Sequence, residues 1–225
     1  MDNLANTSSS NISSSNISVL LVDDHAVVRA GYTFLLENIE DINVVAEAAS
    51  GEEAIAKFAE LKPDIVVMDL SMPGMDGLEA IRTIRTSQPE ARVLVFSMHE
   101  KTPFVERALQ EGAAGYISKN SSPEMLISAI RQIACGEMYI DAQLAQNLVV
   151  QQTRTKGSHF AGLSSREFQI LCLFAEAYSI ESIAKKLSLS TKTIANYLSQ
   201  IKDKLQVDST PELVRLAISE GLVSV

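Results

Sequence analysis

The stretch Ile65-Val66-Val67-Met68-Asp69-Leu70-Ser71-Met72-Pro73-Gly74-Met75-Asp76-Gly77 decides how the first half of the chain folds. Four apolar residues in succession end at a carboxylate, and a Pro-Gly-x-Asp-Gly loop follows. An apolar run with no polar alternation reads as a strand covered on both faces, and the Pro-Gly and Asp-Gly pairs turn the chain behind it. Comparable runs lie outward from this one, at Ile17–Val22, Ile42–Ala46, Arg92–Phe96 and Ala114–Ile117. Helix-like segments separate them near residues 26–38, 52–61, 76–87, 101–111 and 122–135. Five βα repeats of this kind predict an α/β unit with a five-stranded parallel sheet, doubly wound, whose functional groups gather beyond the C-terminal strand ends.

That rule selects a small set of residues. Asp23 and Asp24 follow the first strand, Asp69 the third, Ser97 the fourth and Lys119 the fifth. Three carboxylates at one sheet edge repel one another unless a cation sits among them, and a hard divalent ion such as Mg²⁺ prefers carboxylates, carbonyls and water. A hydroxyl and an ammonium nearby complete a pocket suited to a phosphoryl group. Each residue alone has a plainer reading: Asp23-Asp24 as a helix cap, Asp69 as a turn initiator, Ser97 as a strand-end hydroxyl, Lys119 as a solvated lysine. It is their joint placement at strand ends that favours a site.

Composition bounds the rest. The chain has 225 residues, 46% of them hydrophobic, and a net charge of −9, so it can bury a core and is not disordered throughout. Ile170–Ala175 is the longest apolar stretch, far short of the ~20 residues a membrane helix needs, and the N-terminus carries neither a basic leader nor an apolar segment. A cytoplasmic location without membrane attachment is the expectation. Cys135 and Cys172 stand apart and predict reduced thiols. The charge is uneven: residues 1–141 hold 10 Lys+Arg against 21 Asp+Glu, residues 142–157 two bases and no acid, and residues 158–225 seven of each. Within residues 1–18, 11 are Ser or Asn, too polar to offset the entropy of ordering. A disordered tail over 1–16 is therefore expected, then an acidic unit over 17–137, a connection over 138–160 and a neutral unit over 161–225. Within the connection, Ile140, Leu144, Leu148 and Val149 suggest a helix, equally able to rest on its own unit or to reach the other unit or a second protomer.

The neutral unit reads as helical. Leu163-Ser164-Ser165-Arg166-Glu167 opens a first helix with a capping Ser and an early Glu. A second helix carries Ile180, Ile183, Ala184 and Leu187, and Ser188-Leu189-Ser190 leads into a third over Thr191–Leu205. There Ile194, Leu198, Ile201 and Leu205 form one narrow apolar stripe, with Lys192, Asn196, Ser199 and Asp203 on the opposite face. Two short helices, a tight turn and a polar-faced third element describe a helix-turn-helix, although a helical hairpin with no ligand has the same periodicity.

Leu20-Leu21-Val22-Asp23-Asp24-His25, the 67–77 segment and Gly115-Tyr116-Ile117-Ser118-Lys119 together resemble the receiver domain of two-component response regulators, a flavodoxin-like fold. Leu163 to Leu222 resembles the LuxR-type helix-turn-helix, in Leu163-Ser164-Ser165-Arg166-Glu167, Ser182-Ile183-Ala184, Leu189-Ser190-Thr191-Lys192-Thr193-Ile194 and Glu212-Leu213-Val214. The ordered chain thus resembles a NarL/FixJ-subfamily regulator. The resemblance implies that Asp69 accepts a phosphoryl group from a sensor histidine kinase and that Asp24 binds Mg²⁺ directly. It further implies that Asp23 acts through water and that the Ser71 backbone carbonyl is a further ligand. Ser97 would close onto the phosphorylated Asp69, Tyr116 would turn with it, and Lys119 would pair with the phosphoryl oxygens. Ala195, Asn196 and Ser199 would face base edges, with Lys192, Thr193, Lys185, Lys186 and Lys202 at DNA phosphates, in a homodimer formed on phosphorylation. Ala177, Ser182, Tyr197 and Asp203 depart from residues usual in that family, and Ala195 stands where Lys or Arg is frequent. A regulator acting through protein contacts, with weak or lost DNA binding, is the alternative. A phosphatase with an Asp nucleophile is disfavoured because position 71 is Ser rather than a second acid.

Overall fold

The computed structural model describes residues 16–154 and 159–223. The Ser/Asn-rich tail to residue 15 and the middle of the basic connection, 155–158, lie outside the described residues. The first unit alternates β1 (Ile17–Val22), α1 (Ala26–Glu37), β2 (Ile42–Ala48), α2 (Gly51–Leu61), β3 (Ile65–Met68), α3 (Gly77–Ser87), β4 (Val93–Ser97), α4 (Thr102–Gln110), β5 (Gly115–Ser118) and α5 (Pro123–Ala134). The strands pair in parallel in the order β2-β1-β3-β4-β5, with a further strand, β6 (Tyr139–Ile140), at the β5 edge. Six strands thus replace the five expected. β6 has only two residues, too few to show any periodicity, and it lies against β5 because Gly115 has no side chain: a Cβ there would stand 2.5 Å from the Tyr139 carbonyl oxygen.

β3, β4 and β5 are buried along their whole length, as their unbroken apolar character requires. On one face Leu36 of α1 and Leu126, Ala129, Ile130 and Ile133 of α5 cover Val19, Leu21, Val67 and Leu94. On the other, α2, α3 and α4 contribute Ala54, Phe58, Ile81, Ile84 and Val105 over Leu20, Val66 and Val95. With both faces sealed, the C-terminal strand ends remain as the polar edge of the sheet.

α6 (Ala142–Arg154) follows β6 and packs on α4, with Leu144 and Leu148 buried in the same apolar cluster as Phe104 and Val105. The second unit comprises α7 (Ser165–Ala175), α8 (Ile180–Lys186), α9 (Thr191–Leu205) and α10 (Thr210–Ser219). Side-chain caps begin each: Ser164, Ser179, Ser190 and Ser209 accept from Glu167, Ser182, Thr193 and Glu212 backbone N–H groups. The buried α9 stripe, Ile194, Leu198 and Ile201, meets α7 and α8. Among the described residues no helix is long and apolar enough to cross a membrane.

Candidate functional site

The sheet order brings the selected strand ends together. Asp69 N–H donates to the Val22 carbonyl at 3.0 Å, which sets the residues after β1 and β3 side by side, and Lys119 N–H donates to the Ser97 carbonyl at 2.9 Å, which does the same for β4 and β5. Gly77 holds the opposite wall close, since a Cβ on it would meet the Asp69 carbonyl oxygen at 2.1 Å. Asp23 and Asp69 are each 3% exposed. Lys119 Nζ lies between them, donating to Asp23 Oδ2 at 2.6 Å and to Asp69 Oδ2 at 2.7 Å. Burial alone would push the Lys119 ammonium down, but Asp69 and Asp23 outweigh it and hold this group above the ordinary lysine range. Asp69 Oδ1 accepts from the Leu70 N–H at 2.7 Å and the Ser71 N–H at 3.4 Å.

One ammonium does not balance three carboxylates. Asp23 Oδ1 is used by the His25 N–H at 2.8 Å, as α1 begins. Asp24 Oδ1 is buried and makes no hydrogen bond, although His25 Nδ1 stands 2.9 Å away. Asp23, Asp24, His25 and Asp69 offer ligand atoms within 4.8 Å of one another. This acidic cluster fits a divalent cation, with the buried Asp24 Oδ1, which makes no hydrogen bond, as a candidate ligand atom. A cavity of about 550 Å³ opens beside it, lined by His25, Tyr32, Met98, Lys119 and Asp69 itself.

Ser97 and Tyr116 are fully buried behind this edge. The Tyr116 hydroxyl donates to the His99 carbonyl at 2.6 Å, and burial drives its phenol well above the usual tyrosine range. Ser97 Oγ accepts from the His99 N–H at 3.3 Å.

In the second unit Lys192, Ala195, Asn196 and Ser199 are exposed on α9, and Thr193 and Lys202 are half-buried beside them. Lys185 and Lys186 are exposed on α8, and Lys186 Nζ stands 5.4 Å from the centre of the Tyr178 ring. The eight residues expected at DNA are thus carried by adjoining helices, although Lys186 also lines the cavity between the two units, with Ser71 and His99. Ser190 anchors the start of α9: its Oγ accepts from Thr193 N–H at 3.0 Å and lies 2.7 Å from Thr193 Oγ1. Glu167, 2% exposed, answers Ser164 in a capping box and accepts from Lys204 Nζ at 2.6 Å, tying α7 to the end of α9.

The two units meet through α7, leaving the polar residues of α9 exposed. Arg166 donates to the Gly74 carbonyl at 2.7 Å, Ser165 to Glu111 at 3.3 Å and Lys101 to the Leu222 carbonyl at 3.3 Å. Phe104 of α4 meets Phe168 of α7 edge to face, with centroids 5.4 Å apart. Beneath this contact Asp76 caps α3, accepting from Glu79 N–H at 2.8 Å, and burial pushes its carboxyl up to about 7. Asp76, His99 and Arg166 had no assigned role in the sequence. Asp76 sits in the quoted loop and His99 two residues past Ser97, but their importance comes from a contact between distant segments.

Comparisons with known proteins agree with this geometry. Residues 19–131 match the family described as "Response regulator receiver domain", and residues 161–217 match "Bacterial regulatory proteins, luxR family". The chain is 44% identical over 209 residues to the response regulator GacA of Pseudomonas aeruginosa, covering 92% of this chain and 98% of that one. It is 40% identical over 208 residues to the response regulator UvrY of Escherichia coli, covering 92% and 95%. Among solved structures it is similar to RcsB of Salmonella enterica serovar Typhimurium bound to promoter rprA in the presence of phosphomimetic BeF3−, with TM-score 0.62, 28% identity and coverage of 89% and 97%. A second structure describes two RcsB dimers bound to two parallel DNAs, with TM-score 0.57, 29% identity and coverage of 92% and 99%.

Proposed function

The chain belongs to the two-component response regulators that join a receiver domain to a LuxR-type helix-turn-helix, in the company of GacA and UvrY, and from this we propose that phosphorylation of Asp69 controls its binding to DNA. It is a DNA-binding regulator and not an enzyme. The carrying observation is the Asp69 carboxylate, buried at the end of β3, 2.7 Å from Lys119 Nζ and within an acidic cluster of ligand atoms no more than 4.8 Å apart.

Asp69 is the nucleophile: a carboxylate oxygen forms the new bond to phosphorus as the bond to the histidine nitrogen of a sensor kinase breaks. Asp24, Asp23, Asp69 and the Ser71 carbonyl would hold Mg²⁺, which when bound neutralises developing charge on the phosphoryl oxygens. Lys119 leaves its carboxylate partners to pair with those oxygens, and Ser97 and Tyr116 respond to them. On the output side Asn196 can pair with adenine in two hydrogen bonds, Ala195 offers apolar contact and Ser199 a hydroxyl, while Lys185, Lys186, Lys192, Lys202 and Thr193 meet phosphates. One helix-turn-helix reads few bases, so the phosphorylated protein binds as a homodimer over two half-sites, as RcsB does in dimers on DNA.

Incubation with Mg²⁺ and acetyl phosphate is expected to give a base-labile adduct that Asp69→Asn abolishes. Labelling that persists in the variant would place the phosphoacceptor elsewhere.

A further inference from the structure

His99 lies in the loop between β4 and α4 and contacts Ser71, Ser97 and Tyr116 at the edge of the sheet and Phe104 at the junction with the second unit. Its Nε2 is 2.7 Å from Ser71 Oγ, in the loop that follows Asp69. Its carbonyl accepts from Tyr116 and its N–H donates to Ser97, the two residues proposed to respond to phosphorylation. Its imidazole lies flat on Phe104, with centroids 4.1 Å apart and planes 6° apart. Phe104 is 6% exposed and meets Phe168 of α7, which is 1% exposed and also packs on Phe160 at 6.0 Å.

A continuous chain of contacts therefore runs from the Asp69 loop through one imidazole and one phenyl ring to the helix that opens the DNA-binding unit. We propose that His99 is the positioning residue that transmits the state of Asp69 to the helix-turn-helix, acting through Phe104 on Phe168. This inference rests on the phosphorylation-controlled reading given above. A phosphoryl group on Asp69 recruits Ser97 and moves Ser71, and His99 is bonded to both, through its N–H to Ser97 Oγ and through its Nε2 to Ser71 Oγ. The ring cannot follow them and keep its stack: dispersion contact decays over fractions of an ångström, and a packed aromatic interface changes in steps rather than by smooth deformation. The receiver states thus differ in how well they hold Phe168, which is the differential contact that coupling between two sites requires. Phe96, Val105 and the other core residues of the receiver lack this double connection, since none of them bonds to Ser71 and Tyr116 while stacking on an interface ring.

Spatial continuity alone does not establish transmission, and a double-mutant cycle does. Full-length protein, His99→Ala, Phe168→Leu and the double variant are compared on a duplex enriched by selection from random DNA. The readout is the ratio of affinities with and without beryllofluoride and Mg²⁺. Fluorine NMR of bound beryllofluoride reports separately whether Asp69 is loaded. The expected result is that His99→Ala keeps the bound-fluoride signal, loses at least about five-fold of the stimulation seen in the wild type, and that the double variant loses no more than either single one. His99→Phe, which keeps a ring on Phe104 but cannot bond Ser71, is expected to lose stimulation as well. Unchanged stimulation in His99→Ala, additive losses in the double variant, or loss of the bound-fluoride signal in His99→Ala would overturn the inference. A wild type with no stimulation overturns the regulatory reading itself, and His99's role with it.

Discussion

Asp76 illustrates how a residue that looks like turn punctuation acquires a physical role. Its carboxylate caps α3 and is sealed by the packing of α7, and Arg166 nearby only partly offsets the burial that raises it to about 7. In the unfolded chain the same group loses its proton near 3.8. Between those two values the folded protein binds one more proton than the unfolded one, so this residue makes stability fall as pH rises, levelling off above about 7. Asp76→Asn keeps an oxygen for the Glu79 N–H and removes the charge. It is expected to stabilise the protein by a few kcal/mol at pH 8 and by much less at pH 5, read from urea midpoints; an equal effect at both would contradict the burial of the charge. Ala177 makes a second case. It occupies φ +65, just before α8, where a Cβ is unfavourable. Ala177→Gly is expected to raise stability by about 0.5–1 kcal/mol, net of the greater freedom of glycine in the unfolded chain. A lower melting temperature would mean the position is not strained.

At the scale of elements, the sequence is legible wherever a periodic pattern is long enough. β1 and β3 occupy the residues their apolar runs predict, and α9 spans Thr191–Leu205 as its stripe does. The strand-end residues Asp23, Asp24, Asp69 and Lys119 converge because parallel topology leaves no other place for them. β6 was not legible because two residues carry no period, and its position depends on the missing side chain of Gly115. The sequence does not specify the surface that α6 covers, for a different reason. An amphipathic helix specifies that it has an apolar face, not which surface covers it, and here Leu144 and Leu148 settle on α4. Leu144→Ala is expected to cost about 2–4 kcal/mol in denaturant unfolding through the cavity it leaves. A cost below about 0.5 kcal/mol would mean that α6 does not complete the receiver core.

Across the whole molecule, charge and contact divide the work. The negative charge resides in residues 1–141, with 10 Lys+Arg against 21 Asp+Glu, where three of the acids form a cluster consistent with a divalent cation site, while the DNA-binding unit is neutral and presents its lysines on α8 and α9. Affinity gained from neutralising phosphates is therefore expected to be modest for one protomer, which is the reason for proposing a homodimer on DNA. The two units share one apolar cluster from Leu20 to Leu222, and the contact between them leaves Asn196 and Ser199 exposed, so the regulation proposed above acts on how the second unit is held and not by covering its polar face. On the function proposed above, the state of Asp69 sets DNA affinity. The most direct measurement compares the affinity of the full-length protein for a selected duplex, with and without beryllofluoride and Mg²⁺, in the wild type and in Asp69→Asn. Tighter binding on loading in the wild type, and no change in the variant, is the expected result. Equal affinities in the loaded and unloaded wild type, or the same gain in Asp69→Asn, would contradict it.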